Sequence, residues 1–189
     1  MASNPVSKLT EEEYLAIERA AEFRSEFLNG EMFAMVGVSY RHAKLQKNLL
    51  VELSNRLGGD CEALSSDLRV KVSGSGMYTY PDVSVNRGEP LFSDANGDIL
   101  INPIVICEVL SPTTESYDRG LKFQHYRTID SLKDYILVDQ DKILIEHFIR
   151  QADNVWTLRD YRQLDEELKI DSVSVSIPLH RIYDRSQLS

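Results

Sequence analysis

Leu45, Leu49, Leu53 and Leu57 recur at every fourth position between Ser39 and Leu57. This is the stripe of a helix that lays one face on a core, and Gly58-Gly59 is a natural stop for it. Upstream, Thr10-Glu11-Glu12-Glu13 has the pattern of a capping box, and Tyr14, Leu15 and Ile17 supply the apolar side of a short helix running to Glu22. Between these helices, Phe23 to Leu28 and Glu31 to Val36 flank Asn29-Gly30, the dipeptide that most readily supplies the positive φ angles of a two-residue turn. The pattern predicts a β-hairpin.

The middle of the chain changes to shorter apolar runs. Cys61 to Leu64, Asp67 to Val72, Met77 to Asn86 and Ile104 to Leu110 read as strands. Arg87 to Pro103, rich in Gly, Asn and Asp, reads as a surface loop placed to cover a substrate groove. After the break at Ser111-Pro112, a helix is expected from Ser116 to Ile129 and a strand from Asp134 to Asp139, which together suggest a strand–helix–strand crossover. Lys142 to Ile149, Val155 to Tyr161 and Leu168 to Ile177 alternate as antiparallel strands, with a closing helical turn over Pro178 to Arg185.

With 189 residues and ordinary apolar and charged fractions, the chain suits one globular domain over residues 1–189. No run is long enough to span a bilayer, and Met1 to Thr10 lacks the apolar core of a secretory signal. Cys61 and Cys107 make neither a metal spacing nor a disulfide framework, which fits a reducing cytoplasm. The formal net charge of −9 disfavours an extended nucleic-acid-binding surface. Local basic groups nonetheless occur at Arg41, Lys44 and Lys47, at Arg69 and Lys71, and at Arg119, Lys122 and Arg127. They allow a basic groove on an acidic body.

Three fragments carry candidate chemistry: Tyr80-Pro81-Asp82-Val83, Ile106-Cys107-Glu108-Val109-Leu110-Ser111 and Asp118-Arg119-Gly120-Leu121-Lys122. Two acids on neighbouring strands can hold a hard divalent cation, and a lysine from the next helix can face the bound phosphate. Strand alternation puts Glu108 on one face with Ile104, Ile106 and Leu110, and Cys107 on the other, buried. Asp118, Lys122 and Tyr126 share one helical face. Each residue also has a plainer reading. Asp82 after proline suits a turn, Glu108 at a strand end suits solvent or an arginine partner, and Lys122 suits an exposed ion pair.

Read together, these fragments resemble the restriction-endonuclease-like bacterial domain of the PD-(D/E)xK nuclease superfamily. The resemblance extends to Phe27-Leu28-Asn29-Gly30-Glu31, His42 at the head of the long helix, and Glu108-Val109-Leu110-Ser111-Pro112. It implies an α/β fold in which a mixed β-sheet is flanked by helices, with an N-terminal β-hairpin and C-terminal antiparallel strands. It also implies a metal-dependent endonuclease with Asp82 and Glu108 as metal-binding acids and Lys122 as the catalytic lysine. The cofactor implied is Mg²⁺, with Mn²⁺ able to substitute, and Val109 through its carbonyl and Glu31 are further ligands. The implied partner is DNA, expected as duplex, cut by a homodimer. His42, Asp118 and Tyr126 are site neighbours. The lysine expected two residues after Glu108 is replaced by Leu110, so Lys122 is its substitute. The alternatives are a nucleic-acid-binding module of the same fold without catalysis, and a small-molecule or protein-interaction domain.

Overall fold

The structure, a computed structural model, describes residues 8–184. The chain opens with helix α1 (Glu11–Ala20). Its capping box forms: Thr10 Oγ1 accepts from the Glu13 N–H at 3.2 Å, and Glu13 Oε2 accepts from the Thr10 N–H at 2.8 Å. Tyr14 and Glu18 turn inward, while Ile17, expected on the apolar side, faces solvent. Strands β1 (Ser25–Leu28) and β2 (Glu31–Ala34) then form the expected hairpin. Asn29 and Gly30 take φ of 54° and 85°, the double positive φ that the dipeptide favours. Helix α2 (Tyr40–Arg56) follows, its N-cap Ser39 accepting from the His42 N–H at 3.1 Å.

Next come β3 (Cys61–Ser65), β4 (Arg69–Val72), β5 (Met77–Thr79), β6 (Val83–Arg87), β7 (Ile99–Leu100) and β8 (Pro103–Leu110). The run Met77 to Asn86, expected as one strand, is two. Pro81 cannot donate to a ladder, and at this point the chain leaves one sheet for another. The stretch expected as a loop between Arg87 and Pro103 contains β7, which pairs in parallel with β4, and it contributes no residue to the cavity described below.

A composite helical segment follows: α3 (Glu115–Tyr117), a π turn over Asp118–Lys122, and α4 (Phe123–Tyr126). It leads to β9 (Asp134–Asp139), parallel to β8, so the predicted crossover is present. Strands β10 (Ile145–Arg150) and β11 (Trp156–Tyr161) complete the sheet. Leu168 to Ile177, expected as one strand, is a separate hairpin of β12 (Glu167–Ile170) and β13 (Val175–Pro178), folded at Ser174 with φ 55°. The short helix α5 (Leu179–Ile182) closes the described chain.

Two mixed sheets result, one ordered β11-β10-β9-β8-β6-β3 and the other β2-β1-β5-β4-β7. The central strands of the six-stranded sheet are buried on both faces. Val83, Val85, Val105, Cys107, Val109, Ile136 and Val138 pack against Leu45, Leu49 and Leu53 of α2 and against the C-terminal hairpin. Ile106, Leu110, Tyr135 and Leu137 face Val70, Val72 and Met77 of the other sheet. The period-two alternation thus decides the register, because a one-residue slip would bring Glu108 into the first of these clusters. Among the described residues, no helix is long and apolar enough to cross a membrane.

Candidate active site

Asp82 sits where the chain passes from β5 to β6, and Glu108 lies on β8, one step beyond the Val83–Cys107 pair. The acids are therefore neighbours across two antiparallel strands, and the Asp82 N–H donates to Glu108 Oε2 at 3.3 Å. Asp82 is fixed on three sides. Its Oδ2 accepts from the Val109 N–H at 2.7 Å, its Oδ1 lies 3.0 Å from His42 Nε2, and its carbonyl accepts from Gln46 at 3.1 Å. His42 and Gln46 come from successive turns of α2, which makes the leucine-striped helix also the holder of Asp82. The plain turn-former reading of Asp82 does not account for these contacts.

Glu108 is only 4% exposed and is gripped equally firmly. Its Oε1 receives Lys122 Nζ at 2.9 Å and the Tyr126 hydroxyl at 2.9 Å. Lys122 also lies 3.2 Å from Glu26 Oε1 and 3.5 Å from Asp118 Oδ1. The π turn brings Asp118 and Lys122 to the same side as Tyr126, as their spacing predicted. This is not an exposed surface pair: Lys122 is buried among carboxylates.

Glu31, expected as a further metal ligand, is exposed, opposite Leu28 at the end of the hairpin and outside the cavity lining. Glu26, which the sequence did not single out, lines the cavity. Glu26, on the hairpin strand that pairs with β5, instead reaches Lys122 and accepts from Thr79 Oγ1. The signal that could have found it was a carboxylate inside the short apolar strand Ser25-Glu26-Phe27-Leu28.

Leu110 is buried in the apolar cluster between the sheets. A lysine there would have to desolvate its ammonium, while Lys122 reaches Glu108 from the helix. The local basic groups form less of a groove than their sequence positions suggested. Lys71 pairs with Glu11 at 2.6 Å, Arg69 with Asp98, and Arg119 with Glu115 and Glu146.

Three carboxylates, those of Glu108, Glu26 and Asp118, thus surround one ammonium, and burial shifts the titration of Glu108 and Asp118. Desolvation pushes the Glu108 carboxyl up to about 8; Lys122 opposes the rise, and Asp118 and Asp82 add to it. Asp118 is raised as well, chiefly by burial. Burial acts to lower Lys122, but Glu108, Tyr126, Glu26 and Asp118 lift it well above the usual lysine range. The site is short of positive charge. Its donors are carboxylate oxygens, hard ligands that suit Mg²⁺ or Mn²⁺. Among the described residues no three His, Cys, Asp or Glu side chains are arranged as a metal cage. A pair of carboxylates fits an ion that keeps most of its waters, as Mg²⁺ does. A cavity of about 380 Å³ opens over these groups, rimmed by residues 33–39 and by Ser111 to Thr114.

The fold and this acid–lysine cluster define a class: the restriction-endonuclease-like α/β proteins. The chain belongs to the Uma2 family, described as "Putative restriction endonuclease", whose family model matches residues 11–179. Two uncharacterized proteins of Synechocystis sp. are each 36% identical to it, one over 96% of this chain and 94% of its own, the other over 88% and 95%. The crystal structure of a "putative nuclease belonging to DUF820" from Anabaena variabilis superposes with a TM-score of 0.75 at 19% identity. It covers 93% of this chain and 97% of its own, a likeness of fold.

Proposed function

We propose that this protein is a metal-dependent endonuclease that hydrolyses DNA phosphodiester bonds, with Asp82 and Glu108 holding Mg²⁺ or Mn²⁺. The Val109 carbonyl is a candidate further ligand, and Glu26 helps hold Lys122 in place. The bound ion would neutralise the phosphate and lower the pKa of the attacking water. The chain's own residues do the positioning. His42 and the Val109 N–H orient Asp82, Tyr126 orients Glu108, and Lys122 offers a positive charge where negative charge builds on the attacked phosphate.

The observation that carries this reading is the 2.9 Å contact between Lys122 and Glu108. A module that needed only the fold could fill this position with an apolar side chain and avoid the desolvation of a buried ammonium.

The test is a time course on supercoiled plasmid with millimolar Mn²⁺. Wild type should nick it, and Asp82→Asn should abolish nicking. Lys122→Ala should cut about a hundredfold or more slowly while still binding Mn²⁺ in calorimetry, the usual scale for losing one electrostatic transition-state contact. A wild type that leaves the plasmid intact, or a Lys122→Ala variant as fast as wild type, refutes the assignment.

A further inference from the structure

One rim of the cavity is unusually apolar for a surface. Along this rim Phe33 is 50%, Val36 80% and Val38 56% exposed, and Tyr40, the first residue of α2 and just beyond the cavity lining, is 74% exposed. Soluble proteins seldom leave such a contiguous patch without a use for it. Cations accompany it: Lys44 Nζ lies 5.4 Å from the centre of the Tyr40 ring, and Lys47 follows on the next turn of α2. Aromatic and apolar side chains set beside cations are the composition of a platform on which nucleic-acid bases stack while the backbone meets the charge.

We propose that this 33–40 arm stacks against unpaired bases, so that the site acts on DNA whose strands are open at the cut. The inference rests on the nuclease reading and narrows its substrate. Apolar side chains offer nothing to a phosphate, and in a closed duplex the base faces are already stacked. Only an opened strand presents them. Glu108 and Lys122 lie buried at the floor of the cavity that this arm rims, so a strand stacked on the arm is held over them. The alternative occupant is a second copy of this chain, and the sedimentation measurement below distinguishes it.

The experiment measures fluorescence anisotropy in chelator, where no cutting interferes, with three probes of one sequence: a closed duplex, the same duplex with a central bubble, and the single strand. A 2-aminopurine in the bubble reports stacking. The bubble and the single strand should bind at least about tenfold more tightly than the duplex. Tyr40→Ala and Val36→Ser should each weaken bubble binding by about five- to tenfold and remove the 2-aminopurine quench, with duplex binding unchanged. Both positions are exposed, so the fold should tolerate either change. Equal affinity for all three probes, or bubble binding that neither variant moves, overturns the proposal. So does a Tyr40→Ala variant that changes the sedimenting species from dimer to monomer at unaltered DNA affinity, which would make the arm a self-association surface. Cleavage with Mn²⁺ is scored separately. Failure to cut any probe while the bubble preference persists refutes the nuclease reading alone. Efficient cutting of the closed duplex by wild type and both variants refutes the substrate assignment alone.

Discussion

Glu108 holds the site together and is also its electrostatic weak point. Buried with Asp82 and Asp118 nearby, it keeps its proton to about pH 8, far above the range of a carboxyl in the unfolded chain. Raised in the folded state, this group contributes stability that is present below about pH 4.5 and is lost as pH climbs through 8. Lys122, lifted well above its ordinary value, stays charged throughout that window. In chelator, Glu108→Gln should therefore melt close to wild type at pH 5 and be the more stable at pH 8, by about 1–2 kcal/mol or roughly 2–8 °C in Tm. A gap that fails to widen with pH would show that Lys122 already compensates the carboxylate in full. Tyr126→Phe is a gentler probe. It removes the hydroxyl that reaches Glu108 at 2.9 Å and should cost about 1 kcal/mol in urea unfolding. It should also slow cleavage more than it weakens binding, because Glu108 loses its orientation rather than its charge.

At the scale of elements, legibility followed local chemistry. The Asn29-Gly30 hairpin, the α2 stripe and the capping box were readable because each is fixed by residues within a few positions of one another. Gly30 shows how strictly. At φ 85° an added Cβ would meet Lys8 Cβ at 2.5 Å. Gly30→Ala should thus destabilise by about 1–3 kcal/mol in denaturant unfolding, and an unchanged midpoint would mean that the turn relaxes freely. The misreadings share one cause, long-range pairing. Met77 to Asn86 alternates as one strand, yet Pro81 divides it between two sheets. The pairing of β7 with a strand some thirty residues earlier leaves no local trace, and Leu168 to Ile177 gives no sign of its fold at Ser174. The same limit explains Glu31 and Glu26. The hairpin was evident, but which of its acids meets Lys122 depends on β1 pairing with β5, a contact fifty residues away in sequence. Asp82, Glu108 and Lys122 were legible because strand alternation and helical spacing are local rules, and their convergence needed only the one crossover that the sequence announced.

For the whole molecule, the six-stranded sheet couples the site to global stability. Its one face carries Glu108, and its other carries Cys107, buried with the leucines of α2. Cys61, only partly buried at the start of β3, packs at the edge of that core and keeps some exposure. Cys107 thiol chemistry therefore reports opening of the sheet, and burial further suppresses it by pushing the thiol pKa up. An ion that binds only the folded state lowers the open population by the factor 1 + [L]/Kd, so Mn²⁺ at ten times its Kd should slow Cys107 modification by about tenfold. Cys61, which needs no such opening, should react at the same rate with or without the ion. Mass spectrometry of the labelled peptides separates the two thiols in one sample. With Asp82→Asn and Glu108→Gln combined, the Mn²⁺ effect on Cys107 should vanish while the labelling order of the two cysteines stays the same. If Mn²⁺ protects Cys107 equally in that double variant, the ion binds elsewhere on the acidic surface, and the two acids are not its ligands. Rapid native labelling of Cys107 without the ion would instead show that the sheet does not bury the face its alternation assigns.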